Sequence, residues 1–334
     1  MGEHSFHQRL FLSNFTVFKD AAFEFTPGVN VFIGENGSGK THLLKAIYAY
    51  QRPPSRDVPD LASTLMSLFQ VENGDALIRT PSTRGGVARV RGQYGENEWS
   101  YALRRTVRES VLVQTARLEM GQPVFIPAMD MMGHTREFLE AYNQVYLDFD
   151  LTCRDIVTLF RLRSRNAVEN NGPMEALVKV LGGDIEQDEN GRFYLQSSTG
   201  RLPMPMVAEG LRKIASLVRL QRNGWLVPGS TLFWDEPETN INPILMDEVI
   251  AAILALSRKG VQVFLTTHSY VILKELDLQA TTQDSVRYFS LQGSKGGTQI
   301  TVADEFTALK PNPILQQYGS LYDRDLARAA GRSR

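Results

Sequence analysis

Gly34-Glu35-Asn36-Gly37-Ser38-Gly39-Lys40-Thr41 fits the pattern G-x-x-x-x-G-K-[ST], and its flanks are those the pattern requires. Val29-Asn30-Val31-Phe32-Ile33 reads as an apolar strand leading in, while Leu43, Leu44, Ala46 and Ile47 follow with helical spacing. A glycine-rich turn that merely matched the pattern would lack this strand and this helix. Gly34, Gly37 and Gly39 let the backbone turn with its N–H groups aimed at phosphate oxygens, and the helix N-terminus adds partial positive charge. Lys40 is expected to reach the β- and γ-phosphates of a nucleotide. Thr41 is expected to place its hydroxyl on Mg²⁺, a cation that keeps most of its waters and takes few protein ligands. Asn36, Ser38 and His42 complete the expected phosphate cradle.

Composition narrows what can surround this loop. The chain has 334 residues, 43% of them apolar, enough to build one large domain or two of ordinary size around a real core. A net charge of −1 implies no global attraction to polyanions, so any nucleic-acid surface has to be a local patch. Cys153 is the only cysteine, which excludes an intrachain disulfide framework and a cysteine-rich zinc site and favours a cytoplasmic location. No apolar run approaches the roughly 20 residues of a membrane helix, and the longest helical one, Val249 to Leu256, has the length of a core helix. The start, Met1 to Phe6, lacks the apolar region of a signal peptide, and Phe6 stands where a myristoylation pattern has Ser or Thr. The expectation is a soluble, unanchored protein.

Upstream of the loop, Leu10 to Phe18 and Ala22 to Phe25 read as two strands around a turn at Lys19-Asp20. The helix after Thr41 has to stop by Pro53-Pro54. Residues 86–107 alternate as an antiparallel hairpin, and Val124-Phe125-Ile126 is a short strand ended by Pro127. From about Arg136 to Val180 the period becomes helical, closed by Gly182-Gly183, and Asn190-Gly191 has the chemistry of a type I′ hairpin turn. Val286 to Leu291 and Gln299 to Val302 are further strands; no internal repeat or sustained heptad is present.

Two more stretches carry chemistry. Thr231-Leu232-Phe233-Trp234-Asp235-Glu236 is an apolar strand ending in paired carboxylates; beside a phosphate loop, Asp235 would hold Mg²⁺ and Glu236 would polarise the attacking water. Such acidic pairs also occur simply as helix caps. After Pro237-Glu238-Thr239-Asn240-Ile241-Asn242-Pro243 comes a helix and then the strand Val261 to Leu265, ending in Thr266-Thr267-His268-Ser269, where His268 could touch a γ-phosphate.

The order and spacing of these elements resemble the ATP-binding-cassette (ABC) ATPases, in the soluble branch that includes the SMC, Rad50, RecF and overcoming-lysogenization-defect nuclease heads. Gly34 to Thr41 looks like Walker A, Leu232 to Glu236 like Walker B with its catalytic glutamate, Glu238 to Pro243 like the D-loop, and His268 like the switch histidine. Val207-Ala208-Glu209-Gly210-Leu211-Arg212-Lys213 resembles the signature at a helix start, in the serine-glutamate-glycine form except that Ala208 replaces the serine. Without that hydroxyl a γ-phosphate hydrogen bond is lost, and turnover or ATP-driven dimerisation is expected to weaken. The Q-loop glutamine has Gln93, Gln114 and Gln122 as candidates. Pro123 to Met132, together with Glu209 to Lys213 and Asp235 to Glu238, is similar to bacterial ATPases of the AAA_15 and AAA_21 families, a likeness that spans most of residues 10–280.

The resemblance implies an α/β ABC-ATPase head, a P-loop NTPase with an antiparallel β subdomain and a helical insertion. Residues 1–135 would form an N-terminal ATPase lobe, 136–200 the insertion and hairpin, and 201–334 the C-terminal lobe. It implies ATP and Mg²⁺, catalytic roles for Lys40, Glu236 and His268, metal ligation by Thr41 and Asp235, and a head-to-tail homodimer. In that dimer Ala208, Glu209 and Gly210 of one copy face the nucleotide of the other. A transporter subunit, a long coiled-coil arm and a fused nuclease do not fit this chain; Cys153 has no partner for a zinc hook, and Asp323-Arg324-Asp325 reads as a solvated helix face. An effector on a separate chain is therefore expected, in phage defence or DNA maintenance. The alternatives are a RecF-like ATP-gated clamp on DNA and an ATP-bound scaffold that scarcely hydrolyses. Arg104, Arg105 and Arg108, and Arg161, Arg163 and Arg165, could contact DNA phosphates or be solvated faces balanced by nearby acids.

Overall fold

Val29 to Ile33 is buried at every residue, as a parallel strand covered on both faces must be. The computed structural model describes residues 5–80, 86–105, 110–135, 138–144, 148–163, 173–294 and 296–332. In chain order the elements are β1 (His7–Phe15), β2 (Phe18–Glu24), β3 (Val29–Gly34), α1 (Lys40–Gln51), α2 (Leu61–Phe69), β4 (Val87–Tyr94), β5 (Asn97–Arg105), β6 (Ser110–Gln114) and β7 (Pro123–Ile126). Then follow α3 (Phe138–Gln144), α4 (Leu151–Arg161), α5 (Pro173–Leu181), β8 (Gly183–Gln187), β9 (Phe193–Ser197), β10 (Gly200–Pro203) and α6 (Glu209–Arg222). The chain continues through β11 (Thr231–Asp235), α7 (Met246–Arg258), β12 (Gln262–Thr266), α8 (Tyr270–Gln279), β13 (Val286–Gln292), β14 (Gln299–Ala303) and α9 (Pro313–Arg332).

The central sheet has the order β14-β13-β3-β12-β11-β7, parallel except for the edge pair β13–β14. It draws strands from both the N-terminal and the C-terminal thirds of the chain. Alternation splits its side chains between two cores. Val31, Ile33, Val124, Leu232, Trp234, Val263 and Leu265 pack with α4, α5, α6, α7 and α8. Phe32, Phe125, Phe233, Phe264 and Phe289 point the other way, toward α1 and the antiparallel sheet β2-β1-β4-β5-β6. These five phenylalanines, one per parallel strand, form a stacked ladder with centroid spacings of 4.8 Å (Phe289–Phe32), 6.2 Å (Phe32–Phe264), 5.2 Å (Phe264–Phe233) and 6.0 Å (Phe233–Phe125).

The helices after residue 136 dock on the phosphate-loop helix through polar clamps. Lys45 of α1 pairs with Asp150 at 2.7 Å, and Asp155 of α4 accepts from Arg52 at 2.6 Å and from Tyr48 Oη at 2.8 Å. Most of α9 beyond Ile314 is exposed, and Asp323, Arg324 and Asp325 lie on it in solvent.

Three local expectations change. The first hairpin turns at Thr16-Val17, with Thr16 at φ 48°, not at Lys19-Asp20; those two residues lie inside β2, where Asp20 accepts from Ser13 Oγ. The β8–β9 connection is longer than a two-residue I′ turn. Asp188 to Gly191 closes by an i→i+3 hydrogen bond, and only Gly191, at φ 75°, is left-handed, so Arg192 rather than Asn190 is brought opposite Asp188. Finally, α4 ends at Arg161 with Leu162 as its C-cap, so Arg163 lies past the helix; Arg108 and Arg165 lie outside the described residues.

Candidate functional site

Ligands of open parallel sheets bind at the carboxyl ends of the strands, and here β3, β11 and β12 end side by side on Gly34, Asp235 and Thr266. The loop between β3 and α1 needs its glycines for two different reasons. Gly37 and Gly39 sit at φ 77° and φ 100°, in the left-handed region. A Cβ on Gly39 would also lie 2.5 Å from Val17 Cγ2 and 2.7 Å from Phe18 Cζ, so the turn of the first hairpin packs directly beneath the loop.

Lys40 is nearly buried, and its ammonium donates to the carbonyls of Gly34 at 3.0 Å and Glu35 at 3.1 Å. Burial lowers its pKa, opposed by the negative charges of Glu236, Asp235 and Glu238. Those carbonyl oxygens hold the ammonium where phosphate oxygens would. Ser38 Oγ is buried without a partner among the described residues, as a hydroxyl waiting for an acceptor would be. Thr41 Oγ1 lies 2.9 and 3.1 Å from the two carboxylate oxygens of Asp235, so one hydroxyl and one carboxylate converge on a single point. That small oxygen set suits Mg²⁺, which would take its remaining ligands from water and phosphate. His42, the next residue, is turned edge-on to Phe69 at 5.3 Å, and burial, followed by the charge of Lys45, lowers its pKa; its ring lies on the α2 side of α1.

Glu236 has a left-handed backbone, φ 47°, a strained state for a non-glycine residue that its surroundings must enforce. Its N–H is held by both the carbonyl (3.2 Å) and the hydroxyl (3.0 Å) of Thr266, whose hydroxyl also bonds Asp235. His268 Nε2 is 3.5 Å from Glu236 Oε1, too long for a hydrogen bond, and is otherwise unpartnered among the described residues. Burial, then the positive charge of Lys40, lowers the His268 pKa against the raising effect of Glu236 and Asp235, which favours the neutral imidazole.

Several residues of the expected D-loop and signature stretches make contacts that the motifs do not specify. Glu238 accepts from His268 N at 2.6 Å and Thr267 Oγ1 at 2.9 Å, so the D-loop fixes the histidine; burial raises its pKa. Lys213, almost wholly buried on α6, reaches the Glu236 carbonyl at 3.4 Å. Arg212 donates to buried Asp130 just after β7, and Asp130 also accepts from Met132 N and Gly133 N. The Thr-Thr pair before His268 was the only visible signal for any of these contacts.

Ala208 is the N-cap of α6, exposed and with no side-chain cap hydrogen bond; Glu209 and Gly210 begin the helix. Among the described residues, no hydrogen bond joins these three to residues 34–41 of the same chain. The Gly210 backbone packs on the D-loop, where a Cβ would come within 2.3 Å of the Asn240 carbonyl oxygen. None of the three candidate glutamines lies at the phosphate edge. Gln122 precedes β7 at the opposite end, its carbonyl paired with Thr231 N, while Gln93 and Gln114 are on β4 and β6 of the antiparallel sheet.

Known proteins resemble parts of this sequence and share its fold. Residues 158–274 match the AAA_21 family (AAA domain, Type IV TA system) and residues 9–50 the AAA_23 family (AAA domain). The chain is 54% identical over 41 residues to the DNA replication and repair protein RecF of Limosilactobacillus fermentum, covering 12% of this chain and 11% of the relative. It is 28% identical over 200 residues to RecF of Bifidobacterium longum subsp. infantis, covering 52% and 44%. The chain thus spans less than half the length of these curated relatives. An Smc head bound to the C-winged helix domain of ScpA superposes with a TM-score of 0.60 at 14% identity, over 89% of this chain and 98% of that one. The Smc head domain with an extended coiled coil from Pyrococcus furiosus, bound to the C-terminal domain of ScpA, gives 0.57 at 12% identity over 96% and 99%. The fold is that of an ABC-type ATPase head. In sequence, parts of the chain are similar to the AAA_21 and AAA_23 families and to RecF.

Proposed function

We propose that this chain binds and hydrolyses ATP and, with ATP as glue, pairs head-to-tail with a second copy of itself as the switch or motor of a bacterial complex. The observation that carries the reading is the convergence of Lys40, Thr41, Asp235, Glu236 and His268 at one sheet edge, while the Ala208–Gly210 helix start makes no hydrogen bond to the phosphate loop of its own chain.

In this reading Lys40 exchanges the Gly34 and Glu35 carbonyls for phosphate oxygens, and the glycine loop supplies backbone N–H donors around them. Thr41 and Asp235 would hold Mg²⁺, which would supply positive charge to neutralise the phosphates. Glu236 orients water and accepts its proton. His268, neutral and fixed by Glu238, offers one ring N–H to the γ-phosphate. The Gly210 helix N-terminus of the second copy would face that same phosphate, so closure depends on the nucleotide.

Phosphate release at steady state tests this: turnover should fall at least a hundredfold in Lys40→Ala and in Glu236→Gln, with roughly 3 kcal/mol of transition-state stabilisation lost in each. Sedimentation velocity of Glu236→Gln should show a dimer with ATP and a monomer without it. Identical profiles with and without ATP would refute the switch. We place its action in the cytoplasm, in DNA maintenance or phage defence with a separate effector, supported by the RecF and AAA_21 likenesses. A second reading, an ATP-gated clamp on DNA, is favoured by the RecF likeness and predicts an ATP-stimulated, salt-sensitive gel shift. The missing hydroxyl at Ala208 favours a third, an ATP-bound scaffold; phosphate release that stays at background with partner present would support it.

A further inference from the structure

At the far end of α6 from Gly210, three arginines line a depression of about 430 Å³ together with Ile185, Glu186 and Gln187. Arg219 is only 6% exposed. Its Nε donates to the Phe160 carbonyl at 2.9 Å and its Nη2 to Gln187 Oε1 at 2.7 Å, and its guanidinium carbon lies 5.0 Å from the Phe193 ring centroid. None of these partners carries negative charge. Asp184, the acid that acts on it electrostatically, is paired with Arg222. Burial, followed by the charges of Arg163 and Arg222 and opposed by Asp184, holds the Arg219 pKa down at about 10.

Arg161 closes one side, its guanidinium lying over Gly191 in the β8–β9 turn, where a Cβ would meet Nη2 at 2.6 Å. Neither Arg161 nor Arg163 pairs with a carboxylate among the described residues. The one acid in the lining, Glu186, is taken by Arg201 at 3.4 Å. Three guanidinium groups therefore share an open polar recess with no free counter-ion among the described residues. A nearly buried cation left this way costs free energy that an anion would return, and planar guanidinium forks match phosphate oxygens in pairs.

We propose that the recess formed by Arg161, Arg163 and Arg219 binds a phosphate group, carried either by a nucleic-acid backbone or by a free polyphosphate. The site is separate from the nucleotide loop, and its test needs no ATP. Arg219 lies on the same helix as the signature residues, nine residues beyond Gly210, so a phosphate held there is mechanically joined to the helix start.

Fluorescence anisotropy with labelled single- and double-stranded oligonucleotides, without nucleotide, addresses the first source. The double variant R161Q/R163Q should weaken binding by about tenfold or more and lower the slope of log K against log salt by about 0.7 to 0.9 for each lost contact. Arg324→Gln, which removes an exposed charge on α9, should leave both unchanged. For the second source, in a Lys40→Ala background that removes the phosphate contact of the nucleotide loop, inorganic pyrophosphate should raise the melting temperature of the protein with the three arginines intact and not of the one that also carries R161Q/R163Q. Loss of oligonucleotide binding in the double variant assigns the recess to a backbone. Loss of the pyrophosphate effect alone assigns it to a free phosphate. Equal affinity, slope and melting shift in wild type and double variant, with unchanged circular dichroism, would overturn the proposal, as would absence of both kinds of binding in the wild type. Neither result bears on ATP turnover, which Lys40→Ala tests independently.

Discussion

Ala208 is the helix N-cap of α6, and it stands where the resemblance to ABC ATPases expects the signature serine. An alanine cap leaves the first N–H groups of α6 to water, whereas a serine would accept one of them. Ala208→Ser should therefore stabilise the nucleotide-free chain by about 1 kcal/mol in chemical denaturation, since only the cap is gained there. With ATP it should also raise turnover and the dimer fraction. A gain in stability with no gain in turnover would separate capping from phosphate contact. The departure at this residue was legible from spelling alone. The hold of Glu238 on the backbone of His268 was not, because it joins two loops that meet only when β11 and β12 pair.

At the scale of elements, α6 and the D-loop act as a packed pair. Gly210→Ala would ordinarily favour a helix by up to about 1 kcal/mol. Here the added methyl meets a backbone oxygen at 2.3 Å, and the clash outweighs that gain. The variant should lose about 1–3 kcal/mol in urea unfolding and should fail to dimerise with ATP; stability equal to or above wild type would show that the D-loop yields freely.

The join between β1 and the central sheet is polar and buried. His7 Nε2 meets Gln51 Oε1 at 3.0 Å, Gln51 Nε2 donates to Thr231 Oγ1 at 2.9 Å, and Gln262 bonds both the N–H and the carbonyl of His7. Burial holds the His7 pKa at about 4, below its usual 6.5, opposed by the bond to Gln51. Protons therefore bind the unfolded chain more readily between those values, so this contribution is intact above pH 6.5 and is lost as pH falls toward 4. From pH 7 to pH 5 the loss should be about 2 kcal/mol in denaturant titrations. In His7→Gln that part of the slope should vanish; an unchanged slope would assign it to other groups.

For the whole molecule, the central sheet holds two cores apart and joins them. The phenylalanine ladder is the spine of one of them, with Phe264 at its centre touching Phe32, Phe233 and Phe25. Phe264→Ala should cost about 3–5 kcal/mol, and because β12 ends beside Asp235 at the phosphate-loop edge, it should lower ATP affinity along with the melting temperature. A ladder contributing only area would show the stability loss without the binding loss.

Much of the head is readable in the sequence. The phosphate loop, the Asp235-Glu236 strand end, the His268 strand end and the helix start at Glu209 are each set by a few consecutive residues, whose backbone preferences and apolar period act over short range. Turn placement was less secure: Lys19-Asp20 looks like a turn by residue type, but the apolar pairing of Phe15 with Phe18 put the bend at Thr16-Val17. Strand order, the ladder, the His7 network and the three-arginine recess could not be read in this way. Each is made by residues tens to hundreds of positions apart, and their proximity is decided by which sheet face is buried and against what. The sequence by itself determined that a nucleotide loop and its companion carboxylates exist. Only the tertiary structure decided that they share one edge, that among the described residues the Ala208–Gly210 helix start bonds to no phosphate loop of its own chain, and that positive charge with no free counter-ion among those residues collects at the other end of the same helix.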